Sequence, residues 1–220
     1  MTFQVNRIRA QFPALNSGTA FFDGPGGSQV PKSVGEAIAQ TITSSVSNRG
    51  RTTKAEQNAD AAVLGFRSAV SDLLNCSPEG VVYGRSWTQI TYDFSRTLAK
   101  TWKLGDEIIV TRLDHDSNVR PWVQAAESVG AIVKWAQFEN ATAELAPEVI
   151  GKLLTSKTKL VAVTGASNVL GTRPNIPAIA KLVHATGALL YVDGVHLTPH
   201  TPIDMKTLGA DFYGFSSYKL

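Results

Sequence analysis

Lys159-Leu160-Val161-Ala162-Val163-Thr164-Gly165-Ala166-Ser167-Asn168 decides how this chain folds. Leu160 to Val163 are apolar without alternation, so a strand here would bury both faces, as strands in the interior of parallel sheets do. Gly165 then breaks the run, and small polar residues follow. The same unit recurs on either side. Upstream lie Glu107-Ile108-Ile109-Val110-Thr111 and Ala131-Ile132-Val133-Lys134-Trp135. Downstream lie Ala188-Leu189-Leu190-Tyr191-Val192 and Asp211-Phe212-Tyr213-Gly214-Phe215. Amphipathic stretches predicted as helices over 88–102, 119–130, 147–155 and 176–186 separate them. This alternation predicts an α/β chain: a mostly parallel sheet covered by helices on both faces, in three layers.

Further upstream the signals are looser. Gly80-Val81-Val82-Tyr83 reads as another strand. The stretch 55–74 reads as a helix with Ala62, Phe66, Val70 and Leu73 on one face, and 31–46 as a helix with Val34, Ile38 and Ile42 in register. Asp23-Gly24-Pro25-Gly26-Gly27 is a tight loop. Residues 1–16 are expected to be a helical N-terminal segment and 17–220 the main domain.

Composition narrows the function classes. The 220 residues carry 21 Lys+Arg against 18 Asp+Glu, a net charge of +3, with 43% hydrophobic residues. A chain of this length buries roughly 70% of its unfolded surface, and so modest a charge excludes disorder as the main state. No Lys/Arg run exceeds two residues, which argues against a nucleic-acid stripe. Cys76 is the single cysteine, so no internal disulfide and no CxxC metal pattern exists. The N-terminus shows no secretory h-region and no apolar run nears the ~20 residues of a membrane span. The expectation is a soluble, cytoplasmic chain without membrane or nucleic-acid partners.

Ligands of open α/β sheets bind beyond the carboxyl ends of the strands, so the residues after each strand matter most. After Tyr83 come Ser86-Trp87-Thr88, where Ser86 or Thr88 caps a helix and free amides can meet a phosphate. After Thr111 come Asp114-His115-Asp116. One imidazole between two carboxylates is a poor metal set, and none is assigned. Ser167-Asn168 follow Thr164, and Asp193-Gly194-Val195-His196 follow Val192. Ser216-Ser217-Tyr218-Lys219 follow the last strand. A buried carboxylate needs a partner, and a lysine can serve Schiff-base chemistry. Amine, carboxylate, imidazole, hydroxyls and a helix N-terminus along one sheet edge form the set that pyridoxal phosphate requires.

In this order, Asp114-His115, Ser167-Asn168-Val169-Leu170-Gly171, Val192-Asp193-Gly194-Val195-His196 and Phe215-Ser216-Ser217-Tyr218-Lys219 resemble the class V aminotransferases of the fold-type I pyridoxal phosphate enzymes, nearest their cysteine desulfurase-like branch. Phe22-Asp23-Gly24-Pro25-Gly26-Gly27 and Asn48-Arg49-Gly50 are similar to loops of that branch. The resemblance implies that Lys219 is the Schiff-base lysine, Asp193 the partner of the pyridinium nitrogen, and His115 the ring-stacking residue that assists proton transfer. It further implies Asn168 beside the ring hydroxyl. Ser86 and the amide of Trp87 would bind the phosphate, with Ser216 and Tyr218 completing that site, and His196 would join the cofactor shell. Trp87 lacks the hydroxyl the family places there. His196 stands for a usual Gln, and Tyr218 for a usual His. An amino-acid substrate and a homodimer, with Arg49 reaching across, are also implied.

Two other readings compete. Thr164 to Gly171 also looks like the nucleotide loop of short-chain dehydrogenases. That loop needs glycine where Val169 stands, and its Tyr-x-x-x-Lys pair would need tyrosine at Phe215. The second reading is a catalytically incompetent fragment or an interaction module. In the family, the persulfide-forming cysteine and the substrate-binding arginine lie well beyond the lysine, whereas this sequence runs one residue past Lys219. Cys76 is placed too early to be that nucleophile. The expectation is most of one lobe, without the C-terminal small domain.

Overall fold

The computed structural model describes residues 3–220. Its helices are α1 (Val5–Arg9), α2 (Lys32–Thr43), α3 (Lys54–Leu74), α4 (Trp87–Ala99), α5 (Arg120–Val129), α6 (Pro147–Gly151), α7 (Ile176–His184) and α8 (Met205–Leu208). The strands are β1 (Glu107–Thr111), β2 (Ile132–Ala136), β3 (Thr158–Thr164), β4 (Leu189–Asp193) and β5 (Phe212–Gly214). All neighbouring strands pair in parallel, in the order β2-β1-β3-β4-β5.

The uninterrupted apolar runs become strands because alternate side chains find a helix layer on each face. Ile108, Val110, Leu160, Ala162 and Tyr191 point toward α4 and α5, among Trp87, Ala99, Trp122 and Ala126. Their neighbours Ile109, Val161, Val163, Leu190 and Val192 point the other way, onto Ile150 of α6 and Ile176, Ile179 and Val183 of α7. Three layers result, with the central strands β1, β3 and β4 almost wholly inaccessible. The outer strand β2 is half-exposed and carries Lys134, a charge that discourages edge pairing. Lys134 pairs with Glu107 at 2.7 Å, and the same carboxylate accepts from Thr155 at 2.6 Å. This polar clasp sits at the amino end of β1, away from the carboxyl ends.

One expectation is corrected upstream. Residues 81–84 form no strand. Pro78 opens a short 3₁₀ turn to Gly80, and beyond it the backbone is extended but has no strand to pair with. Val81 is buried against α3 while Val82 and Tyr83 are exposed. The apolar stripe of α2 forms in register, yet Val34, Ile38 and Ile42 face outward and α2 buries no residue. The helix predicted over 147–155 is shorter, ending at Gly151.

The N-terminal arm nevertheless returns to the sheet. The Ser28 amide and hydroxyl donate to the Tyr218 carbonyl at 3.1 and 3.2 Å, and the hydroxyl also reaches the Leu220 carbonyl at 2.7 Å. The glycine loop 23–27 thereby lies beside the turn that carries Lys219.

Candidate active site at the carboxyl ends of the strands

The strand order reverses direction between β1 and β3, the kind of switch point at which open α/β sheets bind ligands. Register places Thr164, Asp193 and Gly214 side by side at the ends of β3, β4 and β5. Above them, Trp87, His115, Asn168, Asp193, His196, Ser216, Tyr218 and Lys219 line one cleft of about 60 Å³, with Pro25, Thr88, Ser117 and Thr164. Eight of the nine residues singled out from sequence therefore share a cleft, though they come from five separate segments. Ser86, the ninth, caps α4 beside them, its hydroxyl accepting the Gln89 amide at 3.2 Å.

A larger cavity of about 610 Å³ lies alongside, between α3, residues 76–87 and β5. Its walls are mainly apolar, including Phe66, Val70, Val81 and Phe215, and it shares only Trp87, Ser216 and Tyr218 with the cleft. Size favours that cavity, but the convergent titratable groups sit in the smaller cleft, and chemistry decides between them. At 60 Å³ the cleft is a floor for a ligand, below the roughly 300–1,000 Å³ of an enclosing pocket.

Asp193 is 4% exposed. Its Oδ1 accepts the Val195 amide at 2.9 Å and its Oδ2 accepts the Trp87 indole N–H at 2.9 Å. Burial pushes its pKa up to about 6, against the pull of those donors and of the nearby His115 and Lys219. A carboxylate offers about four acceptor positions, so two remain for a ligand N–H. The site tolerates the bulky neighbours only because glycine follows and faces Asp193. A Cβ on Gly194 would lie 2.0 Å from the Tyr213 ring, and one on Gly214 1.7 Å from the Trp87 ring.

His115 is exposed, and its tautomer is set from behind. The Ser117 amide donates to Nδ1 at 3.1 Å, and a backbone amide can only donate, so the neutral ring carries its proton on Nε2. Beneath it, Asp114 shares a hydrogen bond with the Thr111 hydroxyl. It also accepts the Asn118 amide at 2.7 Å, and Asn118 in turn accepts the Trp122 indole at 3.2 Å. The enclosed Asp114 carboxyl has its pKa raised to about 8, mainly by desolvation, despite those hydrogen bonds, with the Asp193 charge adding to the rise.

Both raised carboxyl groups bind protons more tightly folded than unfolded. Their stabilisation is complete below pH 4 and is lost as pH climbs through about 6 for Asp193 and about 8 for Asp114. Asp114→Asn cannot ionise, so its thermal stability should fall less between pH 6 and 9 than that of the parent. The expected difference at pH 9 is roughly 2–5 kcal/mol. Equal pH slopes in the two melting series would refute this account of Asp114.

His196 lies 5.0 Å from His200, ring to ring, and burial followed by the His200 and Lys219 charges holds its pKa below the usual range. Lys219 is half-buried in a 3₁₀ turn, and its side chain makes no hydrogen bond or ion pair among the described residues, its Nζ lying 5.7 Å from the Tyr218 ring centre. At the N-terminus of α4, the first two amides, Trp87 and Thr88, have no backbone acceptor among the described residues, the free donors an anion needs.

Sequence reasoning placed Trp87 here through its amide and missed the indole bond to Asp193. It also passed over Ser117, whose amide orients His115, and the role of Asp114 beneath it. Spacing exposes the Ser117 contact, since residues i and i+2 of one tight turn invite such a bond.

The family model for class V aminotransferases matches residues 20–220. An aminotransferase-like protein of Gibberella zeae is 41% identical across the whole chain, which covers 56% of that protein. A cysteine desulfurase of Klebsiella pneumoniae is 34% identical, again across the whole chain and 56% of its own length. Among solved structures, a cysteine desulfurase of Escherichia coli superimposes with a TM-score of 0.89 at 31% identity, covering all of this chain and 55% of that one. The chain thus spans about half the length of the curated relatives it matches. The sheet, its helical layers and the sequence match agree: this chain belongs to the class V aminotransferase family.

Proposed function

We propose that this chain forms the pyridoxal phosphate site of an enzyme acting on an amino acid, with Lys219 as the covalent anchor. The observation carrying this reading is the convergence of Asp193, His115, Asn168 and Lys219 on one cleft of a class V aminotransferase fold. The donor set fits the cofactor. Asp193 retains acceptor capacity for a pyridinium N–H. The free amides of Trp87 and Thr88, with the Ser86 and Ser216 hydroxyls, suit a phosphate. Lys219 supplies an amine that makes no ion pair among the described residues and lies near enough for its charge to act on Asp193. When bound, pyridoxal phosphate supplies an electron sink for bonds broken at the substrate's α-carbon.

The chain's own residues would then act as follows. Asp193, ionised above about pH 6, holds a positive charge on the ring nitrogen. His115, with Nδ1 committed to Ser117, presents Nε2–H and a flat face to the cleft. The Lys219 amine would move a proton at the substrate's α-carbon. Residues 1–16 would be an N-terminal segment outside this domain, and a second copy would supply Arg49 to the site.

The reading is tested by titrating the purified chain with pyridoxal 5′-phosphate. A saturable visible band that borohydride abolishes is expected, and Asp193→Ala should bind the cofactor about 10–100-fold more weakly. Absence of any saturable band in the parent chain would overturn the proposal. Binding of NAD(P) in its place would favour the oxidoreductase reading.

A further inference from the structure

We propose that Trp87 is a positioning residue whose indole N–H fixes the Asp193 carboxylate, and that Gly214 exists to leave room for that ring. The proposal rests on the cofactor reading for its consequence, but its geometry is independent of it. Trp87 and Asp193 are 106 residues apart in sequence, and no local rule pairs them. The indole is held from three sides. It stacks on Tyr191 at 5.2 Å between ring centres and 28° between planes. It covers Gly214, where a Cβ would fall within 1.7 Å of the ring carbon Cζ3. Its N–H ends on Asp193 Oδ2 at 2.9 Å. At 5% exposure, the ring also keeps water from that oxygen.

Trp87 is the first residue of α4, while Asp193 is the last of β4. One bond therefore ties the helix end that would take an anion to the carboxylate that would take a ring nitrogen. The separation between those two subsites is set by a side chain rather than by loop lengths. A buried N–H donor also favours the ionised carboxylate, since hydrogen bonding to a charged form stabilises it.

The titratable groups facing Asp193 are Asp114 and His115 from beyond β1, Tyr191 of β4, Tyr213 of β5 and Lys219. All are unaltered in Trp87→Phe, which keeps an aromatic ring over Gly214 but removes the donor. Carboxyl ¹³C NMR of the cofactor-free full chain should show Asp193 titrating at higher pH in Trp87→Phe than in the parent. Pyridoxal 5′-phosphate should bind that variant about 10-fold more weakly at pH 7, near the 1.4 kcal/mol that a tenfold change represents. If Trp87→Phe does not fold, the parent alone decides: the Trp87 indole ¹⁵N–¹H resonance should move with the Asp193 midpoint, while that of Trp135 should not. An indole signal indifferent to Asp193, or an unshifted carboxyl midpoint in a folded Trp87→Phe, would overturn the proposal. These cofactor-free readouts hold even if the parent gives no visible band, which would count against the cofactor reading alone.

Discussion

Lys219→Ala should abolish the borohydride-sensitive visible band completely and leave the protein folded. The Lys219 side chain makes no hydrogen bond or ion pair among the described residues, and the backbone bond from its amide to the Ser216 carbonyl survives truncation, so no structural contact of consequence is removed. The effect on the site should be total, because no other lysine lines the cleft. After borohydride treatment of the parent, mass spectrometry should place the reduced cofactor on the peptide that contains Lys219. A saturable band in Lys219→Ala, or a label mapped to a surface lysine, would reject Lys219 as the anchor.

The second large effect is on stability. Gly214→Ala inserts a methyl group 1.7 Å from the Trp87 ring, which is itself wedged between Tyr191 and Asp193. A close-packed core accommodates such an intrusion only by moving the ring or the strand, at a cost of ~3 kcal/mol or more. For a chain of this size the melting temperature should drop by roughly 6–12 °C. Gly65→Ala is the control: it lies in α3, where an added Cβ meets nothing within 4 Å. There the exchange should be neutral or slightly stabilising, by about 0.5–1 kcal/mol. Similar losses at both positions would show that packing on the Trp87 ring is not the cause.

These two expectations draw on different depths of sequence information. Lys219 was visible because the strands are near-continuous apolar runs, and whatever follows such a run in a parallel sheet lands at one edge. The same logic located His115, Asn168, Asp193 and Ser216. The Trp87–Asp193 bond and the Gly214 clearance were not visible, because both depend on which side chains meet across layers. Neither has a period or a spacing. The strand expected at 81–83 failed for a related reason: β-branched and aromatic residues favour a strand only where another strand is present to pair with. The outward-facing stripe of α2 shows that periodicity reports which face is apolar, not what covers it.

The all-parallel arrangement also governs how this chain must reach its native state. Glu107 of β1 aligns with Ile132 of β2 and Thr158 of β3, and Thr164 of β3 with Asp193 of β4. Among the described residues no hairpin joins these strands to nucleate the sheet, and each pairing must await closure of a crossover loop and docking of its helix. Folding in milliseconds to seconds is therefore expected, far slower than a helical bundle of equal length. The apolar strands are the segments left uncovered meanwhile. Refolding yield should consequently fall as protein concentration rises, even where the folded molecule is stable.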